Sequence, residues 1–171
     1  IGVLDGLSCP YEPPLEPLEL RNKFKAFKGF CVKHLIVTRL TDGSIILASP
    51  AYPGARHDSP LVRFSGIPEK MDPGEKLLGD LAFISYDFIN TKNKKGMAYT
   101  TADGEHFNRI HSSFRVIVER TIGRLVIWKS LRKPWRHSIE LHDEAFQVIC
   151  KLVNYDLESH PLKAPQLREK K

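Results

Sequence analysis

The chain has 171 residues, a formal net charge of +6 and 42% hydrophobic residues, which is enough for one globular domain with a buried core. No run of about 18 apolar residues is present, which argues against a membrane-spanning helix. The three cysteines form no CxxC pair, so a disulfide framework is not expected. Because the chain begins with Ile1 and not with Met, we expect it to be an excerpt of a longer protein.

The first third of the chain predicts a strand followed by a hairpin. The apolar run 1–6 ends in Asp-Gly, which is typical of a buried strand that stops at a turn. Four prolines within residues 9–19 indicate a loop. Residues 29–40 and 44–54 are predicted to form two paired strands, because the hairpin signal Thr-Asp-Gly at 41–43 separates them.

The middle of the chain predicts one helix and one further strand. Ser59 followed by Pro60 suits an N-cap and a first helical residue, so a helix is expected to start there. Residues 76–80 indicate another buried strand that ends at an acid. The mixed stretch 84–100 receives no assignment.

The last third of the chain is predominantly helical. Residues from about 111 to 131 place apolar side chains on one stripe of a helix that Pro134 terminates, and residues 141–159 predict a second amphipathic helix. The polar residues 159–171 are expected to be a frayed tail. Strands first, then a helix, a strand and two helices, predict a mixed α/β sheet with helices packed on it. The stripe of the first long helix consists of Phe114, Val118, Thr121, Ile122, Leu125 and Trp128.

Two segments of the chain are strongly basic. Residues 20–41 contain six Lys/Arg and no acid, with phenylalanines interleaved. Residues 106–137 contain eight Lys/Arg and the single acid Glu119. One interpretation is a loop and strand with a solvated edge, and the other is a surface that binds the phosphate backbone of a nucleic acid. The charge pattern leaves both interpretations open.

Four carboxylates stand at positions that suit a metal site. Asp5 and Asp80 close predicted strands, and strand ends are where ligands bind in open α/β sheets. Asp58 precedes the predicted helix, and Glu119 lies beside the apolar stripe of the long helix. Clustered carboxylates suit hard divalent cations, and a pair of such ions can promote phosphodiester cleavage. Each acid also has a plain alternative: a turn for the two strand-end aspartates, a cap for Asp58, and an ion pair with Arg115 for Glu119.

Six segments of the chain, at residues 2–6, 23–37, 51–59, 77–80, 107–112 and 118–125, follow one another in a specific order. In this order they resemble the catalytic domain of PIF/Harbinger-type transposases. These are DDE superfamily endonucleases, and they include domesticated Harbinger-derived nucleases. The resemblance covers residues 1 to about 155. In the first motif the family commonly has Asp-Gly-Thr-His, where this chain has Asp-Gly-Leu-Ser at 5–8. The segments are GVLDG (2–6), KFKAFKGFCVKHLIV (23–37), AYPGARHDS (51–59), LLGD (77–80), FNRIHS (107–112) and VERTIGRL (118–125).

The resemblance implies an α/β, RNase H-like fold with a mixed five-stranded sheet flanked by helices. It implies a catalytic domain at residues 1–158, excerpted from a longer chain without its N-terminal DNA-binding region, and a polar tail at 159–171. It also implies a nuclear protein that acts on DNA at transposon ends and targets, with a Myb-like DNA-binding partner and possible homo-oligomerisation. No membrane association is expected.

The resemblance also implies the site. Carried over by motif, the catalytic residues are Asp5, Asp58 and Glu119, and Asp80 joins them as a ligand of two Mg²⁺ or Mn²⁺ ions. Whether Asp58 or Asp80 is the second core ligand stays open, because the family pattern favours Asp58 whereas the strand order favours Asp80. The candidate nucleic-acid contacts are Lys23, Lys25, Lys28, Arg115, Arg120 and Arg124.

The expected activity is metal-dependent cleavage and strand transfer of DNA. The alternative is a domesticated adaptor that binds DNA or chromatin without catalysis, and a ribonuclease H-like enzyme acting on RNA is a weaker third reading. The sequence leaves the DNA target and the oligomeric state undecided.

Overall fold

A long antiparallel pair of strands forms the centre of the sheet in the computed structural model, which describes residues 2–91 and 102–163. The strands are β1 (Gly2–Pro10), β2 (Lys25–Ala26), β3 (Gly29–Arg39), β4 (Ile45–Ala48), β5 (Tyr52–Pro53), β6 (Leu77–Leu78) and β7 (Ile89–Asn90). The helices are α1 (Leu18–Asn22), α2 (Asp58–Leu61), α3 (Ala102–Leu125), α4 (Lys129–Arg132) and α5 (Ile139–Ser159). Short 3-10 helices lie at Val62–Phe64, Pro68–Lys70 and Leu81–Phe83.

The sheet is mixed, as predicted, and within the described residues it contains seven strands where five were expected. Its main order is β2-β3-β1-β6-β7, and β4 and β5 also pair with β3. β1 runs antiparallel to β3 and parallel to β6, and β7 runs parallel to β6. The count differs because β2 and β5 are two-residue additions to β3, too short for a hydrophobic period to reveal.

The prediction that the first strand stops at the Asp-Gly pair is wrong. β1 continues to Pro10, because β3 is long enough to pair with it from Gly2 opposite Arg39 to Pro10 opposite Cys31. The parallel ladder between β1 and β6 covers only Gly2 and Val3. Asp5 therefore lies within β1, just beyond the point where β6 stops pairing with it.

The hairpin between β3 and β4 is confirmed, although its second strand is broken in two. The carboxylate of Asp42 accepts hydrogen bonds from the backbone N–H and the hydroxyl of Ser44, and Gly43 takes a φ of +77°. The predicted partner strand 44–54 divides into β4 and β5, both paired with β3.

The helix predicted to begin at Ser59 starts one residue earlier. α2 begins at Asp58 and His57 is its N-cap residue, without a side-chain capping bond. The hydroxyl of Ser59 instead lies 3.1 Å from that of Ser85, so the predicted capping role is wrong.

The long basic helix is confirmed in type but not in its bounds. α3 begins at Ala102, well before the predicted start, and ends at Leu125, before the predicted end. Trp128 is therefore not part of the stripe but an exposed residue that precedes α4. α5 is confirmed, and the hydroxyl of Ser138 caps it by accepting from the backbone N–H of Leu141. Residues 92–100 of the unassigned stretch, residue 101 and residues 164–171 of the tail lie outside the described residues.

The core has two parts, one on each face of the sheet. On one face α3 and α5 pack on β1 and β3, through residues such as Val3, Val118 and Phe146. On the other face Leu4 and Leu61 belong to a second cluster beneath α2. Within residues 2–91 and 102–163, no helix is long and apolar enough to cross a bilayer.

A buried histidine pair in the first core should make stability depend on pH. The ring of His34 stacks on Phe146, and its Nε2 lies 3.2 Å from Nδ1 of His142. Burial lowers the pKa of His34 to about 3 and that of His142 to about 4. Both groups keep their neutral form in the fold, whereas in the unfolded chain they bind protons below an ordinary pKa of about 6.5.

We therefore expect the free energy of unfolding to fall as pH drops from 6.5 towards 4, by about 1.4 kcal/mol per pH unit for each histidine. Urea denaturation at pH 7 and pH 5 measures the slope. His142→Gln should flatten it, and His137→Gln, a change at an exposed histidine, should not. Equal slopes for His142→Gln and the parent would contradict the assignment.

Candidate active site

One arginine of α3 joins three of the four predicted carboxylates. The terminal nitrogens of Arg115 lie 3.5 Å from Oδ2 of Asp5, 3.4 Å from Oδ1 of Asp80 and 3.9 Å from Oε1 of Glu119. The Arg115 side chain is only 19% exposed, whereas that of Glu119 is 58% exposed. Three different parts of the chain thus converge on one guanidinium group.

The strands of the sheet place the two aspartates of this cluster. Asp5 lies in β1 just past the end of the β6 ladder, and Asp80 lies two residues after the end of β6. Asp80 also caps the 3-10 helix at Leu81–Phe83, since its Oδ1 accepts from the backbone N–H of Leu81 at 2.7 Å. A Cβ at Gly79 would lie 2.6 Å from Ile89, so the close passage of β7 requires the glycine before Asp80.

Helix α3 places the other two members. Ile117 and Val118 are buried, which orients this part of the helix against the sheet. Glu119 follows Arg115 by four residues, the spacing at which helical side chains meet. The ion pair proposed as the plain alternative for Glu119 is therefore present, and it is part of a larger cluster.

The electrostatics of Asp5 reflect its crowded position. Burial raises the pKa of this carboxyl above its ordinary value, and the negative charge of Asp80 adds to the increase. The backbone N–H of Gly6, which donates to Oδ1 at 2.8 Å, and the nearby Arg115 act in the opposite direction without cancelling it. An additional positive charge beside Asp5 would therefore stabilise its ionised form.

Asp58 has a different partner. Its Oδ1 lies 2.9 Å from Nζ of Lys33, which also donates to the backbone carbonyl of Arg56. A Cβ built on Gly6 would lie 3.3 Å from Oδ2 of Asp58, so this carboxylate reaches the strand one residue beyond Asp5. Successive residues of a strand point to opposite faces, which puts Asp58 beside the face opposite to the one that bears Asp5.

The predicted nucleic-acid contacts fall into two groups. Lys23, Lys25, Lys28 and Arg120 are exposed, and none of them forms an ion pair within the described residues. Arg115 is held in the cluster, and Arg124 binds Asp156 at 2.6 Å and the carbonyl of His160 at 2.8 Å. Arg124 therefore links the ends of α3 and α5, which is a structural role.

A family model described as DDE superfamily endonuclease matches residues 4–154, a range that includes all four carboxylates. The chain belongs to the DDE superfamily endonucleases. No match was found among curated proteins or among solved structures. Membership in this family suggests a transposase-like nuclease that acts on DNA, and DDE endonucleases generally use divalent metals.

As placed, no three Asp, Glu, His or Cys side chains of the described part of this DDE endonuclease could together hold a metal ion. The donor set nevertheless fits a hard cation in its chemistry, because carboxylate oxygens are the preferred ligands of Mg²⁺. Arg115 does not fully satisfy the hydrogen-bonding capacity of these carboxylate oxygens. Its contacts of 3.4 to 3.9 Å exceed the roughly 2.7–2.9 Å of strong charge-assisted bonds, and its buried Nε has no hydrogen-bond partner.

Sequence reasoning missed the role of Lys33. This lysine lies between buried residues of β3 and its side chain is only 16% exposed. A lysine inside an apolar strand needs a partner, so the pattern FCVKHLIV contained a signal. The pattern did not identify Asp58 as that partner, because Asp58 begins α2 and only the tertiary structure brings it to Lys33.

Proposed function

We propose that this chain is the catalytic domain of a Harbinger-type transposase, a divalent-metal-dependent DNA endonuclease and strand transferase. The observation that carries the proposal is the convergence of Asp5, Asp80 and Glu119 on one guanidinium group beside the strand ends, within a chain of DDE endonuclease family. In the sheet β3 is antiparallel to β1, whereas β6 and β7 run in the same direction as β1. This strand order supports an RNase H-like fold.

The core ligands that we propose are Asp5, Asp80 and Glu119, with Mg²⁺ or Mn²⁺ as the cofactor and two ions in the full site. When bound, such ions activate the attacking oxygen and stabilise the leaving oxygen of a phosphodiester. Asp58 is proposed as an additional acid, since Lys33 already neutralises it at the edge of the site.

The substrate proposed is DNA at transposon ends and targets, in the nucleus. Lys23, Lys25, Lys28 and Arg120 are exposed cations that suit phosphate contacts. Arg115 is placed to offset the charge of the carboxylates. A Myb-like partner and a homo-oligomer remain part of this proposal.

Asp80→Asn should reduce DNA cleavage far more than Asp58→Asn. We expect a loss of at least about a hundredfold for Asp80→Asn and less than about tenfold for Asp58→Asn, since only Asp80 shares Arg115 with Asp5. The measurement is the rate at which supercoiled plasmid becomes nicked in Mg²⁺ or Mn²⁺, with EDTA as the blank.

If Asp58→Asn instead lost more cleavage activity than Asp80→Asn, Asp58 would be the second core ligand. Plasmid binding without nicking in any divalent metal would favour the adaptor instead of the enzyme. Cleavage of an RNA strand but not of DNA would favour the ribonuclease reading.

A further inference from the structure

A fully exposed aromatic side chain stands at the tip of the hairpin formed by β2 and β3. Lys25 pairs with Phe30 and Ala26 with Gly29, so Phe27 and Lys28 form the turn between the strands. The side chain of Phe27 is 103% exposed, which means that no part of the described structure covers it. Burial in this fold does not hold the phenylalanine there, and its whole ring is free to contact a partner outside this domain.

The surroundings of Phe27 are positively charged. Lys23, Lys25 and Lys28 are exposed and have no ion pair within the parts of the chain that the structure describes. Arg21 stacks on Phe30, with its guanidinium carbon 4.4 Å from the ring centroid. An aromatic ring among unpaired lysines is complementary to a polyanion whose bases offer flat faces.

A groove runs from this hairpin to Lys33, the partner of Asp58, along the face of β1 opposite to the one that bears Asp5. Its volume is about 630 Å³, and its walls include Phe30, Pro10 and Ser8. At the inner end lie Gly6, which follows Asp5 in β1, and Lys33, whose amine binds Asp58. A volume of this size lies within the roughly 300–1,000 Å³ of sites that hold small organic groups, so a nucleobase fits.

We propose that the β2–β3 hairpin and this groove bind unpaired nucleotides of the DNA strand that the enzyme holds, with Phe27 stacked on one base. The inference rests on the proposed function and deepens it by naming the form of the substrate. Bases inside a duplex are already stacked and shield their faces, whereas an unpaired base leaves a face free for an aromatic ring. The lysines bind the phosphates on either side of the stacked base.

The test is DNA binding in EDTA, which keeps the measurement independent of cleavage. Fluorescence anisotropy gives the affinity for a dye-labelled oligothymidylate of about 15 nucleotides and for a blunt duplex of the same length. Phe27→Ala should weaken binding of the single strand about tenfold and binding of the duplex less than twofold. Phe27→Tyr should restore single-strand binding, because tyrosine keeps the aromatic face.

Two controls separate stacking from charge and from general surface effects. Tyr155→Ala removes another exposed aromatic side chain, on α5, and should leave both affinities unchanged. Lys28→Gln should reduce the dependence of affinity on salt concentration, whereas Phe27→Ala should not change that dependence.

The proposal is overturned if the parent does not bind the single strand, or if Phe27→Ala binds it as tightly as the parent does. An equal loss of affinity for duplex and single strand also overturns it. So does a result in which Phe27→Ala changes only the self-association of the protein, measured by sedimentation. If single-strand binding depends on Phe27 but the protein nicks no DNA, the proposed nuclease function is wrong and this inference still holds.

Discussion

Asp5→Asn is expected to lower the rate of plasmid nicking by at least about a thousandfold while leaving the fold intact. Asp5 is the most enclosed of the four carboxylates, with a side chain only 20% exposed, and it stands between Gly6 and Arg115 at the centre of the site. Loss of a carboxylate that holds a catalytic cation removes several kcal/mol of transition-state stabilisation, and each 1.4 kcal/mol is a factor of ten in rate. The measurement is the initial rate of conversion of supercoiled plasmid to nicked circles in Mg²⁺.

The matched control for this variant is Asp87→Asn, the same chemical change at an exposed aspartate. It should nick at the parental rate. Thermal unfolding of Asp5→Asn should stay within a few degrees of the parent, which would show that the loss is chemical. Nicking by Asp5→Asn at the parental rate would remove Asp5 from the site.

Arg115→Gln is expected to destabilise the metal-free protein and to strengthen its response to divalent cations. Without the guanidinium, the negative charges of Asp5, Asp80 and Glu119 are no longer offset by a neighbouring cation. We expect the free energy of unfolding to fall by about 1 kcal/mol, a modest amount because the site is partly solvated. That loss corresponds to a fall of roughly 2–4 °C in Tm for a domain of this size. A divalent cation no longer competes with an internal cation, so Mn²⁺ should raise Tm more in the variant than in the parent.

Differential scanning fluorimetry in EDTA and across a Mn²⁺ titration measures both effects. Arg120→Gln is the control, since it removes an exposed arginine of the same helix that has no ion pair within the described residues. It should change neither the Tm in EDTA nor the Mn²⁺ response. If Arg115→Gln has the parental Tm in EDTA and an unchanged response to Mn²⁺, the idea that Arg115 acts as the internal counter-ion of the site is wrong.

Much of the fold was predictable because hydrophobic periodicity depends only on local sequence. β3 and α5 were predicted within two residues of their bounds, because the first is a long apolar run and the second has a regular amphipathic stripe. β2 and β7 were missed, and β5 was not separated from β4, because each of these three strands has only two residues and exists through pairing with a neighbour. The end of β1 was misplaced because β3, and not the Asp-Gly signal, determines how far that strand is paired.

The sequence singled out the four carboxylates as candidates, and their role in a catalytic site stays a prediction. Their arrangement could not be predicted from the sequence. Asp5, Asp80 and Glu119 were singled out from their positions at strand ends and on the helix, and the structure brings them around Arg115. The separation of Asp58 could not be foreseen, because it depends on Lys33 and on the face of β1 that Gly6 exposes.

The sequence by itself determined the mixed α/β class, the two long helices, the basic character and the identity of the four acids. These properties follow from residue type and short-range period, which act over a few neighbouring residues. Only the tertiary structure decided which acids contact Arg115 and that Arg124 is held in an ion pair with Asp156. It also decided that Phe27 is uncovered beside a groove that reaches Lys33. Those relations join residues up to 110 positions apart in the chain, and only the register of the sheet and the packing of α3 on it bring them into contact.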